Sequence, residues 1–354
     1  MPTENTAPDQ DDEPEVVKRA ISTRVIVLGL VVGIPISVLF LWLAIRGVDL
    51  GEVWTGVRSA NLWLVLLAIP FANLLFVFQG LRWRHLVEAD PKPGNPVFVA
   101  LMFVGGAITN VVPGRPGDIA RGVWLGRIGP IPVARSLTSV AVDRAVDVVS
   151  LFVLLLACLP FVEKPDWLVN LVIIVGALTL IAAFVLAGAW WYVNRSARGR
   201  ERASLGRDDK SWLRHNISGI IRGLAVLSRP RDVAAAFGFS FIGWGCAMFA
   251  GWLVARALGI SLNAASIVFV IGVVSLGAAI PSSPGMIGTY QWLVVTSMAV
   301  VGVAQADALA FSILSQAIWY IPVTLSGPFA AWWLTRYERR RRSAIASATP
   351  ATSP

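Results

Sequence analysis

Charged side chains are scarce in this chain of 354 residues. Lys, Arg, Asp and Glu together make up 14% of the residues, whereas hydrophobic residues make up 56%. A soluble domain carries about 25% charged residues, because these must cover its wetted surface. The composition therefore excludes a soluble globular protein and indicates a chain that folds largely in contact with lipid.

Cysteine and histidine are nearly absent, with two of each. Cys158 and Cys246 each lie within an apolar run, so we expect them to pack as small hydrophobic residues and not to form a disulfide framework. His85 and His215 are far apart in the sequence, which argues against a His-rich metal site. We expect no metal and no cofactor. The net charge of +9 could suggest a nucleic-acid partner, but the basic residues lie mostly at the ends of hydrophobic segments, and we expect none.

Long apolar runs predict an all-α polytopic membrane protein. A crossing helix needs about 20 apolar residues. Six runs meet this length, at about 24–46, 62–81, 137–162, 167–193, 232–257 and 307–335. Residues 1–23 are predicted to be a disordered acidic tail, residues 24–335 the membrane domain, and residues 336–354 a basic and then disordered tail.

Two further apolar stretches are interrupted by glycine and proline. Residues 97–128 are broken at 113–117, and residues 264–304 are broken at 281–285. The arms on either side are shorter than the roughly 20 residues of a full crossing. We predict two re-entrant helical hairpins, although two ordinary loops between short or tilted helices, giving about ten spans, also fit. The predicted hairpin tips contain Pro113, Gly114, Gly117, Pro281, Pro284, Gly285 and Gly288.

The distribution of Lys and Arg predicts the orientation of the chain, because cytoplasmic loops are enriched in these residues. The basic loop 194–231 and the residues after 335 should be cytoplasmic, and Arg82, Arg84 and Lys92 place the loop after the second span on the same side. Both termini are then cytoplasmic, in a bacterial inner membrane. The two broken stretches enter from opposite faces, and similar spacing around them predicts an inverted repeat, the arrangement typical of transporters.

The first break combines a predicted helix start with charged residues. Arg115 and Arg121 supply permanently charged donors suited to phosphate, next to a helix N-terminus that itself favours anions. Asp118 would cap the new helix or pair with an arginine. Alternatively, the arginines extend to the cytoplasmic headgroups and serve only as topology signals.

A second polar cluster lies at the start of the run 137–162. Asp143 and Asp147 share one helical face, and Arg144 lies next to them. They form either an ion-pair scaffold or a headgroup or proton site. The second break carries no charge, and its polar residues either bind a headgroup or satisfy the broken backbone. Its candidate binding residues are Ser282, Ser283 and Gln291.

These motifs resemble those of a known family. Pro-Gly-x-x-Gly-Asp-x-x-Arg at 113–121, Val-Asp-Arg-Ala-Val-Asp at 142–147 and Pro-Ser-Ser-Pro-Gly-Met-Ile-Gly at 281–288 resemble the flippase-like membrane domain, which includes the membrane region of lysylphosphatidylglycerol synthases and stand-alone bacterial proteins. The resemblance implies lipid translocation between leaflets. Asp118 and Gln291 stand where the family often has Glu, which puts proton coupling at Gln291 in doubt.

We therefore expect a non-enzymatic transporter of a phosphate-bearing lipid, either an anionic phospholipid or a polyprenyl phosphate. No aminoacyl-transfer domain follows the last span, so synthesis of lysyl-lipid is not expected. One alternative is a scaffold or regulator of a membrane glycosyltransferase or lipid-synthesis enzyme. The other is a Mg²⁺-dependent phosphotransferase, because the spacing of Asp118, Asp143 and Asp147 superficially echoes that chemistry, although such sites use four aspartates.

Overall fold

The computed structural model describes residues 23–112, 116–129, 131–162, 229–278 and 282–348, together with positions 176, 188 and 280. Helices dominate these ranges, and no strand occurs in them. The helices are α1 (Thr23–Ile45), α2 (Leu50–Ser59), α3 (Leu62–Leu86), α4 (Asn95–Val111), α5 (Pro116–Ile128), α6 (Val133–Cys158), α7 (Pro230–Ala257), α8 (Ala264–Gly277), α9 (Thr289–Val300) and α10 (Gln305–Ala348).

Four of the described helices, α3, α6, α7 and α10, are long and apolar enough to cross a membrane. The predicted runs 62–81, 137–162, 232–257 and 307–335 each coincide with one of them. Residues of α1 and α2 together pass the same test, with a bend of 84° between the two helices. The predicted span 167–193 and the basic loop 194–231 lie almost entirely outside the described residues.

Two helical segments differ from the prediction. Helix α2 is not predicted by the apolar runs, and it begins where the Asp49 side chain accepts a hydrogen bond from the Gly51 amide. At the other end, α10 continues to Ala348 instead of ending near 335. Its last turns combine charges of opposite sign, and Arg342 pairs with Glu338 one turn earlier at 2.6 Å. Such i,i+4 pairs support a helix that has left the apolar region.

The helices break at both interrupted stretches. Helix α4 ends at Val111 and α5 begins at Pro116, while α8 ends at Gly277 and α9 begins at Thr289. Helix α5 packs against α4, and α9 packs against α8. Residues 113–115 and 281 lie outside the described ranges. Between α8 and α9, Gly285 has φ 68° and Gly288 has φ 90°, values that favour glycine because it lacks a Cβ.

The long helices pack against one another and against the short ones. Helix α3 packs along α7, and α10 packs along α4. The larger apolar core is built mainly from α7 to α10 and includes Phe269 and Phe311, both with no exposed surface. A second core lies where α3, α4 and α5 meet, and the buried ring of Trp83 stacks edge-on against Phe98 at 5.3 Å between centroids.

Helices α4 and α5 approach each other most closely at two glycines. A Cβ at Gly117 would overlap the carbonyl oxygen of Gly105, and a Cβ at Gly105 would lie 3.0 Å from the Gly117 carbonyl oxygen. Neither obstacle is a flexible side chain, so the backbones themselves must separate to admit a methyl group. The predicted hairpin-tip residue Gly117 is thus required for the close packing of α4 and α5.

We predict that Gly117→Ala destabilises the protein by about 1–3 kcal/mol, the usual cost of overpacking. The matched control is Gly238→Ala on α7, where a Cβ meets nothing within 4 Å. That change should leave stability unchanged or raise it slightly, because alanine favours helices. Thermal unfolding of purified protein in detergent measures both effects, and equal midpoints for the two variants would contradict the prediction.

Candidate functional site

A buried arginine of α3 joins two aspartates of α6. The Nε of Arg82 donates to Asp143 Oδ1 at 2.8 Å, and its Nη1 donates to Asp147 Oδ1 at 2.6 Å. The side chains of Arg82 and Asp143 have no exposed surface, and that of Asp147 is nearly buried. Asp143 and Asp147 lie one turn apart, so a single guanidinium reaches both.

Ion pairs with Arg121 and Asp118 of α5 and with Arg144 of α6 connect the same two aspartates in a closed ring. Arg121 Nη2 donates to Asp143 Oδ2 at 2.9 Å, and its Nε donates to Asp118 Oδ1 at 3.1 Å. Arg144 Nη2 donates to Asp118 Oδ1 at 2.6 Å, and its Nη1 lies 3.4 Å from Asp147 Oδ2. We call these side chains the charge ring, which consists, in order, of Arg82, Asp143, Arg121, Asp118, Arg144 and Asp147.

Charges alternate around the charge ring, so three guanidiniums and three carboxylates cancel. Isolated charges in an apolar interior are very costly, and pairing with hydrogen bonds is what makes them tolerable. Neutral groups complete the site: Trp244 Nε1 donates to Asp147 Oδ1 at 3.0 Å, and Ser240 Oγ lies 3.0 Å from Arg82 Nη1. The guanidinium of Arg121 lies 4.6 Å from the centre of the Trp83 ring.

The structure brings five of the predicted site residues together in the charge ring. Asp118 pairs with two arginines, which is one of the two roles predicted for it, and Asp143 forms ion pairs on both of its oxygens. Arg121 is 1% exposed and donates a hydrogen bond to a protein group from each of its three guanidinium nitrogens, whereas Arg144 is 40% exposed. Arg115, the other arginine predicted to bind phosphate, lies outside the described residues.

Sequence reasoning missed Arg82 as a site residue. Arg82 is predicted only as a charge in the cytoplasmic loop after the second span, yet it is completely buried. The reason is that α3 continues to Leu86, five residues beyond the predicted end, which places Arg82 inside the bundle. The sequence does contain a feature that could have revealed the buried position of Arg82. An apolar helix can continue through the Gln79-Gly80-Leu81-Arg82 segment, and Gln79 and Arg82 then lie on one face.

A cavity of about 540 Å³ connects the charge ring with the second break. Asp118, Arg121, Arg144 and Asp147 contribute to its charged part, and Ser282, Ser283 and Gly285 contribute to the part at the second break. Most of the wall between them is apolar. Its apolar side chains include Leu75, Phe76, Val148, Leu151, Ile271, Ile318 and Trp319.

The second break is held by amide side chains. Gln291 Oε1 accepts from the Gly288 amide at 2.6 Å, and Gln291 Nε2 donates to Gln316 Oε1 at 2.6 Å. Gln316 Nε2 in turn donates to the Gly285 carbonyl oxygen at 2.7 Å. Gln291 does not line the cavity, so these contacts support the backbone-satisfying role, one of the two that the sequence leaves open for the break.

Helices α1 and α10 also hold the break residues. The amide of Ser283 donates to Ser37 Oγ of α1 at 2.7 Å. The hydroxyl of Tyr320 on α10 donates to the Asn110 carbonyl oxygen near the end of α4 at 3.3 Å. A Cβ on Gly285 would strike the ring of Tyr320, so this one side chain lies against both breaks.

Comparison with known proteins agrees with the motifs. Residues 26–327 match the family described as the lysylphosphatidylglycerol synthase TM region. The chain belongs to this family. Membership confirms the resemblance drawn from the paired motifs and, with the apolar helices, establishes a multi-pass membrane protein.

Two known proteins are similar in sequence to this chain. A UPF0104 membrane protein of Methanothermobacter thermautotrophicus is 21% identical over 296 residues, covering 78% of this chain and 87% of the relative. Glycosyltransferase AglD of Haloferax volcanii is 24% identical over 335 residues, covering 85% of this chain and 53% of the relative. The matched region thus spans about half the length of that glycosyltransferase.

We predict that Arg82→Leu destabilises the protein by about 3–5 kcal/mol, because it leaves Asp143 and Asp147 short of a buried partner. Arg82→Lys should recover part of the loss, since one ammonium replaces the fork that reaches both carboxylates. Arg58→Leu is the control, because Arg58 is exposed and contacts only the face of Trp54 in the described structure. Thermal unfolding in detergent that showed equal effects at 58 and 82 would contradict a stabilising role for the charge ring.

Proposed function

We propose that this protein moves a phosphate-bearing lipid between the leaflets of the membrane and performs no chemistry on it. The cavity that joins the charge ring to the second break carries this proposal. Its polar and apolar parts suit a molecule with an anionic headgroup and hydrocarbon tails. Membership of the family supports the proposal but does not decide the substrate. Anionic phospholipids and polyprenyl phosphates both satisfy the chemistry.

The proposed architecture comprises six full spans and two re-entrant hairpins in an inverted repeat. The four arms, α4, α5, α8 and α9, contain 17, 13, 14 and 12 residues, each shorter than the roughly 20 needed to cross. Broken backbone at membrane depth is tolerated where it is buried in protein or lines a cavity, and residues of both breaks line this one. The Lys and Arg distribution favours cytoplasmic termini. We propose a bacterial inner membrane as the location.

Arg144 is the group in the charge ring that we propose binds the headgroup phosphate. It lines the cavity and is the most exposed member of the ring at 40%. A guanidinium has five N–H donors, and Asp118 and Asp147 occupy two of those of Arg144. A phosphate oxygen can therefore be added without first removing either carboxylate. Arg115 and Arg121 remain proposed contributors, with Arg121 acting from within the ring.

The two breaks would have different roles. The charged break, whose Asp118 pairs with Arg144, would hold the headgroup while the acyl chains stay in lipid. The second break, with Ser282 and Ser283 on the cavity wall, would gate the opposite side. Tyr320 lies against both breaks and offers a direct mechanical link between them.

A scaffold role is the second candidate, because one relative is named a glycosyltransferase and matches this chain over 53% of its length. A membrane glycosyltransferase or lipid-synthesis enzyme would then be the partner. The phosphotransferase alternative fits the geometry less well. Asp118, Asp143 and Asp147 each pair with two arginines, so binding a metal through them would require breaking the charge ring.

Blocking the cavity should stop transport. Ala247 on α7 lines the cavity, whereas Gly245, two residues earlier, is exposed, and a Cβ added there would meet nothing within 4 Å. In proteoliposomes, we predict that Ala247→Trp lowers transfer of a fluorescent phosphate lipid to near the protein-free rate, while Gly245→Trp retains transport. Both rates are normalised to folded protein by size-exclusion chromatography.

Two outcomes would count against transport. If the unaltered protein transfers no phosphate lipid under these conditions, or transfers a neutral diacylglycerol equally well, a phosphate-lipid flippase is contradicted. If Ala247→Trp and Gly245→Trp transfer lipid equally, the cavity is not the route.

A further inference from the structure

One amide on the cavity wall has no partner among the described residues. Gln79 lies on α3, three residues before Arg82, and is 6% exposed. It lines the cavity, but its side chain forms no hydrogen bond with any residue in the described ranges. Because Gln79 lines the cavity, its amide is available to a polar group that occupies the cavity.

Another amide on the same helix shows the contrast. Asn73 Nδ2 donates to the carbonyl oxygens of Ile69 at 2.8 Å and Ile318 at 3.1 Å. Asn73 does not line the cavity, and its contacts tie α3 to α10. Gln79 has no comparable hydrogen bond within the described structure, so its amide does not tie α3 to another described helix.

Gln79 is accompanied by small hydroxyl side chains. Thr109 on α4, Ser275 on α8 and Ser282 at the second break also line the cavity. None of the three donates a side-chain hydrogen bond to a residue that the structure describes. The cavity wall therefore offers uncharged donors and acceptors in addition to the partly exposed side chain of Arg144.

We infer that Gln79 recognises hydroxyl groups on the headgroup of the transported lipid, which makes the substrate class a phosphodiester with a hydroxylated headgroup. This inference rests on the proposed function. An amide both donates and accepts, and a hydroxyl does the same, so the two are complementary. Arg144 would take the phosphate, and Gln79 would select among phosphate lipids. A site that hydrogen-bonds a hydroxyl discriminates against analogues without it, because its polar group is then left unpaired.

Three short-chain lipids with the same phosphodiester charge test this inference. Dihexanoyl phosphatidylglycerol and dihexanoyl phosphatidylinositol carry hydroxyls, on a linear and a ring polyol respectively, and dihexanoyl phosphatidylethanol carries none. Binding to the purified full chain in detergent is followed by tryptophan fluorescence, since Trp244 and Trp319 line the cavity. One hydrogen bond contributes about 1 kcal/mol, so at least one hydroxylated lipid should bind about fivefold or more tightly than phosphatidylethanol.

Gln79→Leu and Gln79→Met should abolish that preference by weakening the hydroxylated lipid while phosphatidylethanol binds as before. Asn73→Leu is the matched control, and it should keep the preference even though it removes two hydrogen bonds. Which polyol binds more tightly identifies the source of the hydroxyls. Equal binding of all three lipids to the unaltered protein, or a preference that survives both Gln79 variants, would overturn this inference and leave the proposed function intact. Failure of all three to bind would overturn this inference, and failure of a short-chain polyprenyl phosphate to bind as well would overturn the proposed function.

Discussion

The pairing of three arginines with three aspartates inside apolar helices is the constraint on which the rest of this structure depends. Each ion in the charge ring would be costly alone, and each is tolerated because its neighbours carry the opposite charge. The ring takes Arg82 from α3, Asp118 and Arg121 from α5, and the remaining three from α6. Helix α7 adds Trp244 and Ser240. Four helices are thereby held in one arrangement around a neutral polar centre.

The charge ring also explains how a cavity with a charged wall can persist among apolar helices. Its most buried members, Arg82 and Asp143, have no exposed surface and face only protein. Arg144 and Asp118 are more exposed, and both line the cavity. The same network that stabilises the helices thus presents donors to the cavity. The second break forms another part of the wall without ionised groups, with its backbone satisfied by Gln291 and Gln316.

The sequence could predict features that depend on local spacing. The helices break at both Gly/Pro interruptions, and the four-residue spacing of Asp143 and Asp147 correctly placed them on one face. It could not show which helices meet, because that depends on packing between distant segments. Arg82 was therefore assigned to a loop. Gln79 was not recognised as a site residue, because the cavity that it lines is formed by helices α3 to α10 and the second break. The short helix α2 was missed because its amphipathic residues are too few to resemble a span.

Native mass spectrometry of the lipid that remains bound after purification tests the central claim most directly, which is that the charge ring presents Arg144 to a phosphate headgroup. We expect the unaltered protein to retain a phosphate-bearing lipid and Arg144→Gln, at equal folded yield, to lose most of it. Arg256→Gln is the control, because Arg256 contacts the ring of Trp252 and does not line the cavity. Retention of only neutral lipids, or equal retention of the phosphate lipid by Arg144→Gln, would contradict the account.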